Sequence, residues 1–214
     1  MRVNNRDHKE DGKTAAKRML GLMGKLITLL VQLTGCNFWE LLGLTSIWKG
    51  WASARCKFFI WTLMLERILT ADKLLQRGWE NDYFCPLCRR NLETASHIFT
   101  ECPFSLKVWE HMAVALGLDA LKPTNWLDKG LSVLEWYMGL VGRQTKSQRK
   151  IIFPASNLIC WEIWKERNRR IFEKKELPFT GLLVRIKDEA DVWRLAGAPI
   201  PLVTQYGGTP FDPG

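Results

Sequence analysis

The chain has 214 residues, 47% of them hydrophobic, and carries a formal charge of +9 with a pI near 9.4. Its length is enough to bury one large core or two small ones. Six cysteines are too sparse for a secreted disulfide scaffold, and the charged first eighteen residues lack the apolar segment of a signal peptide. We therefore expect an intracellular protein, nuclear or cytoplasmic, whose thiols are free or bind metal.

The positive charge favours phosphate-rich partners or an anionic membrane surface. The most apolar stretch, residues 19–48, is interrupted by Lys25, Gln32 and Glu40. A membrane-spanning helix needs about 20 mostly apolar residues, so no membrane anchor is expected. The eleven tryptophans are expected to lie mostly in the core, because aromatic side chains bury large areas.

Two helical segments are predicted before residue 50. Residues 1–18 are polar and charged and are predicted to be disordered. Residues 19–33 carry apolar side chains at the i, i+3, i+4 and i+7 spacing of an amphipathic helix. A second, weaker helical pattern covers residues 38–48, and Gly35 separates the two.

The strongest helical pattern covers residues 57–77. Its apolar stripe continues through Leu65 and Leu69. Thr70 is predicted to cap a second helix that restarts within this segment. Residues 79–84 are predicted to form a loop or a short extended piece.

Proline and glycine delimit the next predicted helix. Pro103 stands at its first position, where the missing N–H has no intrahelical partner in any case. The apolar pattern then covers residues 104–116, and Gly117 is predicted to end the helix. Residues 119–130 are predicted to form a loop, followed by a short helix through Met138.

Two further helices are predicted in the last third of the chain. Residues 142–150 are polar and basic and are predicted to form a surface connection. Helical patterns follow over residues 157–172 and 182–195. The Pro- and Gly-rich residues from 197 onward are predicted to be disordered.

Four ligand-type residues lie within eighteen positions, at the spacing Cys85-x2-Cys88-x8-His97-x4-Cys102. A Cys-x2-Cys turn brings two thiolates to one edge of a tetrahedron, and His97 and Cys102 can supply the other two corners that zinc requires. All four ligands are protein side chains, so no position is left for water or substrate and the single zinc ion is predicted to be structural. With no strand-like alternation elsewhere, the fold is predicted to be mostly α, a small irregular helical domain organised around this site.

Alternative roles for these cysteines fit the sequence less well. A redox Cys-x2-Cys pair belongs to a βαβ context that this sequence lacks, and free buried cysteines beside an unrelated histidine are the remaining alternative. His111 is a poorer fourth ligand than Cys102. Cys36, Cys56 and Cys160 lie alone in apolar stretches and are predicted to be packing residues.

A series of short motifs occurs along residues 47–196. They are Phe58-Phe59-Ile60-Trp61, Arg67-Ile68-Leu69-Thr70-Ala71-Asp72, Leu74-Leu75-Gln76-Arg77-Gly78, Cys85-Pro86-Leu87-Cys88, Glu93-Thr94, His97-Ile98-Phe99, Cys102-Pro103-Phe104, Val108-Trp109, and the run from Trp161 to Phe172. In this order they resemble the reverse-transcriptase zinc-binding domain of plant non-LTR (LINE-type) retroelements and of proteins derived from them. In that family the module lies downstream of a polymerase and often upstream of an RNase H-like domain. The resemblance therefore implies a role in binding or positioning nucleic acid.

Two departures from the family pattern shape the predicted domain organisation. Trp51-Ala52-Ser53-Ala54-Arg55 stands where the family usually has a proline, and residues 1–46 do not match the family. Both departures imply a truncated or rearranged derivative. We predict a zinc-binding domain over residues 47–140, a helical extension over 141–196 and a disordered tail over 197–214, after an unmatched helical segment at 19–46.

Catalysis is not expected, because phosphoryl transfer needs clustered carboxylates to hold metal ions, and the acidic residues here are scattered among basic ones. The first functional hypothesis is a zinc-containing, non-catalytic nucleic-acid-binding or accessory module. Trp79 and Tyr83 are its candidates for base stacking, whether on RNA or on DNA. Its phosphate contacts are predicted at Arg89, Arg90, Lys165, Arg167, Arg169 and Arg170, and in the basic run 143–150.

Alternatives to this hypothesis stay open. Arg167 and Asn168 can instead form internal hydrogen bonds to helix ends. The whole chain can instead be a scaffold that binds a polymerase or another protein, with an exposed apolar patch on residues 19–33. A third alternative is a relic fragment with no selected function. No small-molecule substrate is predicted.

Overall fold

Six α-helices make up most of the residues that the computed structural model describes, 47–127 and 130–201. They are α1 (Ala54–Met64), α2 (Ala71–Leu75), α3 (Pro103–Leu116), α4 (Val133–Gly142), α5 (Lys146–Asn168) and α6 (Phe179–Leu195). Within the described ranges there is no β-strand, only an isolated antiparallel bridge between Phe84 and Leu92. The predicted mostly helical fold is confirmed.

Helix α5 is the centre of the fold. It packs against α1, α4 and α6 and buries side chains along most of its length. Phe59 of α1 stacks on Trp164 of α5 with ring centroids 5.7 Å apart. Helices on both sides of residue 141 thus share one core, and the domain boundary proposed there stays a prediction. Among the ten described tryptophans, Trp79 alone is exposed.

The predicted limits of α3 are confirmed. Pro103 occupies its first turn, and Cys102 is the N-cap residue. Gly117 ends the helix in the left-handed conformation, with φ 65°. A Cβ there would strain the backbone, which is why glycine is favoured at this position.

The segment 57–77 is less helical than its apolar stripe predicts. Helix α1 ends at Met64, and Glu66 then adopts a positive φ of 51°, which turns the chain out of the helix. Leu65 and Leu69 therefore lie in the connection to α2. Thr70 does precede α2 as predicted, but its side chain makes no cap; the carboxylate of Glu93 accepts the N–H of Ala71 instead, at 2.8 Å.

The predicted surface connection over 142–150 is on the surface, but it is only three residues long, 143–145. Helix α5 starts at Lys146, because Thr145 accepts the N–H of Gln148 while the Gln148 side chain accepts the N–H of Thr145. This reciprocal capping box stabilises a helix start even when the first turns are polar. The helix predicted from residue 157 thus begins eleven residues earlier and contains Pro154.

Smaller shifts occur elsewhere. The predicted loop 119–130 contains two 3-10 turns, Asp119–Leu121 and Pro123–Asn125. Helix α4 continues to Gly142, four residues beyond the predicted end, and α6 starts at Phe179, before the predicted residue 182.

Several predicted segments lie outside the described residues: the tail 1–18, the helix 19–33, all but the last two residues of the helical pattern 38–48, and residues 202–214 of the C-terminal tail. Of the helices in the part of the chain that is described, none has the length and apolar character needed to cross a bilayer.

Candidate metal centre

The first two ligand residues lie on a short hairpin. Its stem is closed by hydrogen bonds from Glu93 N–H to Tyr83 O and from Cys85 N–H to Asn91 O, both 2.8 Å. At its tip the chain turns tightly, since Arg89 N–H donates to Cys85 O at 2.7 Å and Arg89 has a φ of 55°. The turn brings the thiols of Cys85 and Cys88 to one side. We call residues 83–93 the zinc hairpin.

The second pair of ligand residues is brought together by a π-helical turn. His97 begins this turn, His97–Glu101, and Cys102 follows its last residue. The N–H of Cys102 donates to His97 O at 2.7 Å, the i to i+5 bond of a π-turn. In an α-helix residues five apart do not share a face, so the local widening explains how an x4 spacing can supply two ligands.

The four donor atoms have the spacing of a tetrahedral metal centre. Cys85 Sγ lies 3.9 Å from Cys102 Sγ, and Cys88 Sγ lies 3.3 Å from His97 Nε2. All four atoms are within 4.8 Å of one another. Zinc bound at about 2.3 Å from sulfur and 2.0–2.1 Å from nitrogen separates its ligand atoms by about 3.5–3.8 Å. The cluster can therefore hold one metal ion with little movement.

The hydrogen bonds inside the cluster favour thiolate at Cys102 and the neutral thiol at Cys85. A hydrogen bond from the Cys85 thiol lowers the pKa of Cys102 to about 4, helped by His97 and by two backbone N–H groups at the start of α3, although burial opposes the shift. The same hydrogen bond and burial raise the pKa of Cys85. Burial lowers the pKa of His97, but hydrogen bonds to the neighbouring sulfurs outweigh it and raise that pKa overall. Thiolate is the form of cysteine that binds metal.

The comparisons with known proteins support a zinc-binding domain in this part of the chain. Residues 38–109 match the family model for the zinc-binding domain in reverse transcriptase. The match covers 72 of the 214 residues, and over this stretch the chain is similar to that family. Over 126 residues, 59% of the chain, the sequence is 22% identical to a putative ribonuclease H protein of Arabidopsis thaliana. The matched stretch is 19% of that protein's length, so the chain spans less than a fifth of it. No solved structure matches the chain.

An arginine outside the matched segment supports the zinc-binding domain from the end of α5. The guanidinium group of Arg170, in the π-turn Arg169–Glu173, donates to the carbonyl oxygens of Pro86 and Leu87, each at 3.1 Å. It also lies over the ring of Phe104, 4.7 Å from the centroid. The side chain of Arg170 therefore contacts both the Cys85–Cys88 turn and Phe104, two residues after the ligand residue Cys102.

A buried carboxylate holds Arg170 in place. Glu166 accepts from Arg170 Nε at 2.8 Å, from Arg169 at 2.8 Å and from Leu177 N–H at 2.9 Å. Its residue exposure is 1%, so its charge is stabilised by these donors and by little else. The signal in the sequence was Glu166 at the i, i+3 and i, i+4 positions from the two arginines.

A second buried ion pair joins the zinc hairpin to α5, and its carboxylate also contacts the start of α2. Arg167 donates to both carboxylate oxygens of Glu93, with Nε to Oε2 at 3.0 Å, and to Leu69 O at 3.2 Å. Glu93 also caps α2 through Ala71, and both charged residues are about 2% exposed. This is the internal role that the sequence left open for Arg167. The sequence does not indicate Glu93 as its partner, since they are 74 positions apart.

The predicted phosphate contacts therefore occupy different environments. Arg89 and Arg90 are exposed at the tip of the zinc hairpin, and Arg89 pairs with Glu176. Lys165 is half-buried and pairs with Glu162 at 2.5 Å. The side chains of Arg167, Arg169 and Arg170 are 3%, 18% and 8% exposed and are all paired with carboxylates. The structure brings the metal ligands together, and it uses these three arginines internally.

Proposed function

We propose that this chain is a zinc-containing, non-catalytic nucleic-acid-binding module of retroelement origin. One structural Zn²⁺, bound by Cys85, Cys88, His97 and Cys102, shapes the zinc hairpin, and the hairpin contacts a single strand of RNA or DNA. The observation that carries the proposal is the surface of the hairpin itself. Large aromatic and apolar side chains and cations are exposed on the same short segment that supplies two metal ligands.

Four large aromatic or apolar side chains are exposed on the zinc hairpin or just before it: Trp79, Tyr83, Phe84 and Leu92. Trp79, four residues before the hairpin in sequence, is 68% exposed, and Tyr83 and Phe84 in the stem are 42% and 52% exposed. Phe84 pairs across the stem with Leu92, which is 63% exposed. Aromatic side chains in such positions can stack on unpaired bases without regard to sequence.

Cations surround these rings. Arg90 is exposed at the hairpin tip, and within the described residues it forms no ion pair. The ion pair between Arg89 and Glu176 brings residues 174–176 beside the tip, which adds the exposed Lys174 and Lys175. Such cations can neutralise phosphates and release counterions.

The structural role of zinc follows from the closed donor set. Four protein ligands leave no coordination position for water or substrate. Cys85, His97 and Cys102 are buried, so the ion is expected to contribute folding free energy. For the same reason we propose that the metal centre performs no chemistry.

The test combines metal analysis with salt-titrated binding. Purified chain is expected to contain one zinc per molecule and to bind single-stranded RNA or DNA with an affinity that falls steeply with salt, and chelation is expected to abolish binding. Arg90→Gln is expected to reduce the salt slope by about 0.7, and Trp79→Ala to cost about 1–3 kcal/mol of binding free energy.

Lys49→Gln is the matched control for Arg90→Gln. Lys49 is exposed, and the adjacent Gly50 packs against Phe153. Phe153 precedes Arg167 by fourteen residues on α5, about 21 Å along the helix axis, so this charge is remote from the hairpin. Equal losses in the two variants, or no binding even at low salt, would contradict the proposal.

The scaffold alternative has one observation in its favour. Val184, Val192 and Leu195 are 56%, 58% and 86% exposed and are spaced to form one stripe along α6. A chain that contains zinc but binds no strand at low salt would favour this alternative.

A further inference from the structure

The two ring nitrogens of His97 face different groups. Nε2 lies 3.3 Å from Cys88 Sγ, inside the donor cluster, whereas Nδ1 lies 3.9 Å from Glu101 Oε2, which is not one of the four donors. A histidine binds zinc through one ring nitrogen and carries a proton on the other. His97 is therefore oriented to bind the ion through Nε2 and to present Nδ1–H to Glu101.

Glu101 is kept close to His97 by the π-turn and by Ser96. The turn begins at His97 and ends at Glu101, and Ser96 Oγ lies 3.5 Å from Glu101 Oε1. Ser96 Oγ is also 3.5 Å from the carbonyl oxygen of Leu131, which precedes α4. One oxygen of the carboxylate thus faces Ser96, and the other faces His97.

The surroundings of the His97 ring leave Glu101 as its charged neighbour. The His97 side chain is 4% exposed, and its backbone N–H donates to Thr94 Oγ1 at 3.0 Å. Within the described residues, Glu101 is the only carboxylate in ion-pair contact with this ring. An acceptor for Nδ1–H therefore has to come from Glu101 or from water.

The exposure of Glu101 allows it to accept this proton at little cost. Its side chain is 56% exposed, whereas Glu93 and Glu166 are buried in ion pairs with arginines. Glu101 can rotate from 3.9 Å to a charge-assisted hydrogen-bond distance of about 2.7–2.9 Å without burying a charge. Solvent also weakens its repulsion by the thiolates of the centre.

We propose that Glu101 is a positioning residue of the metal centre, which accepts the Nδ1–H of His97 and orients Nε2 toward the ion. A carboxylate in this position fixes the histidine tautomer and raises the basicity of the ligand nitrogen, and its loss usually lowers metal affinity about 10–100-fold. The inference rests on the proposed function only for the binding of zinc, and it does not require nucleic acid.

Three substitutions separate hydrogen-bond acceptance from charge. Glu101→Ala removes the acceptor, and Glu101→Gln keeps an oxygen acceptor without the charge. Glu110→Ala removes the same charge from an exposed position on α3, about 12 Å along the helix axis from Cys102, and is the matched control. Because Glu101 and Glu110 are both exposed, all three variants are expected to fold.

The first measurement is the zinc dissociation constant of the full chain, determined by competition with a chromogenic chelator. Glu101→Ala is expected to weaken zinc binding by about tenfold or more. Glu101→Gln is expected to weaken it less, because the amide oxygen still accepts, although a neutral acceptor forms a weaker hydrogen bond than a carboxylate. Glu110→Ala is expected to bind zinc as tightly as the native chain.

The second measurement is ¹H–¹⁵N NMR of the His97 ring in the zinc-loaded chain, which a merely structural role of Glu101 would not change. The native ring is expected to carry its proton on Nδ1, with a downfield signal that exchanges slowly with water. In Glu101→Ala this signal is expected to move upfield and to broaden. The absorption spectrum of the cobalt(II)-loaded chain is expected to stay the same, since the four ligands are unchanged.

Any of four results would overturn the inference. Glu101→Ala could bind zinc as tightly as the native chain, or Glu110→Ala could lose as much affinity as Glu101→Ala, which would indicate a general effect of charge. The proton of the zinc-loaded His97 ring could lie on Nε2, which would make Nδ1 the ligand. The Nδ1–H signal could also be the same in the native chain and in Glu101→Ala.

Failure of this inference is distinguishable from failure of the proposed function. A chain that holds one zinc with an affinity independent of Glu101 would reject the positioning role alone. Zinc binding that depends on Glu101, without strand binding at low salt, would support the positioning role and reject the nucleic-acid role. A purified chain that binds no zinc would reject both.

Discussion

Single residues decide how the zinc hairpin is attached to the rest of the molecule. Glu93 and Arg167 form a buried ion pair, in which Glu93 also caps α2 and Arg167 also donates to the carbonyl oxygen of Leu69. Glu166 and Arg170 join α5 to the carbonyl groups of the Cys-x2-Cys turn. The arginines that follow Glu166 look like a nucleic-acid motif in the sequence, yet their charges are balanced inside the fold.

We expect Arg167→Met to lower the free energy of unfolding by about 3–5 kcal/mol, because it leaves the carboxylate of Glu93 buried without its partner. Adding Glu93→Gln removes the stranded charge while keeping an oxygen for the Ala71 N–H. The double variant is therefore expected to be more stable than Arg167→Met. Urea unfolding of the native, single and double variants measures this, and additive losses would contradict it.

At the scale of elements, local capping competes with apolar patterning. Apolar patterning predicts the start of α5 at residue 157, since residues 146–150 have no apolar face. The reciprocal hydrogen bonds of Thr145 and Gln148 start the helix before any core contact is available. A widened turn, His97–Glu101, similarly interrupts ordinary helical geometry to place two ligands on one side.

We expect Thr145→Ala to destabilise the protein by about 1 kcal/mol, the usual cost of losing an N-cap side chain. Hydrogen exchange is expected to accelerate first at the amides of the initial turn of α5. Lys150→Ala, exposed in the same helix, is the control and is expected to change stability by less than about 0.5 kcal/mol. Equal effects of the two changes would show that the capping box does not define this helix start.

At the scale of the whole molecule, buried side-chain contacts connect the metal centre to the helical core. The hairpin and the π-turn supply the ligands, and Arg167 and Arg170 hold the hairpin at the end of α5. Loss of the metal is therefore not expected to remain local.

We expect chelation of zinc, or Cys88→Ser, to reduce the helical circular dichroism signal and the cooperativity of thermal unfolding together. The reason is that repulsion and solvation of the freed thiolates displace the turn to which Arg170 is bonded. His111→Ala is the control, because that exposed histidine is not one of the four donors, and it is expected to keep one zinc per chain. A metal-free chain with undiminished helical signal and transition would contradict this expectation.

The sequence by itself determined the donor set, the mostly helical class and the limits of α3, because ligand spacing, proline and glycine act locally through covalent geometry. Only the tertiary structure decided the partners of Glu93 and Arg170 and the break after Met64. Those features depend on residues tens of positions apart that meet only when helices pack, and the energy of a buried charge depends on what surrounds it.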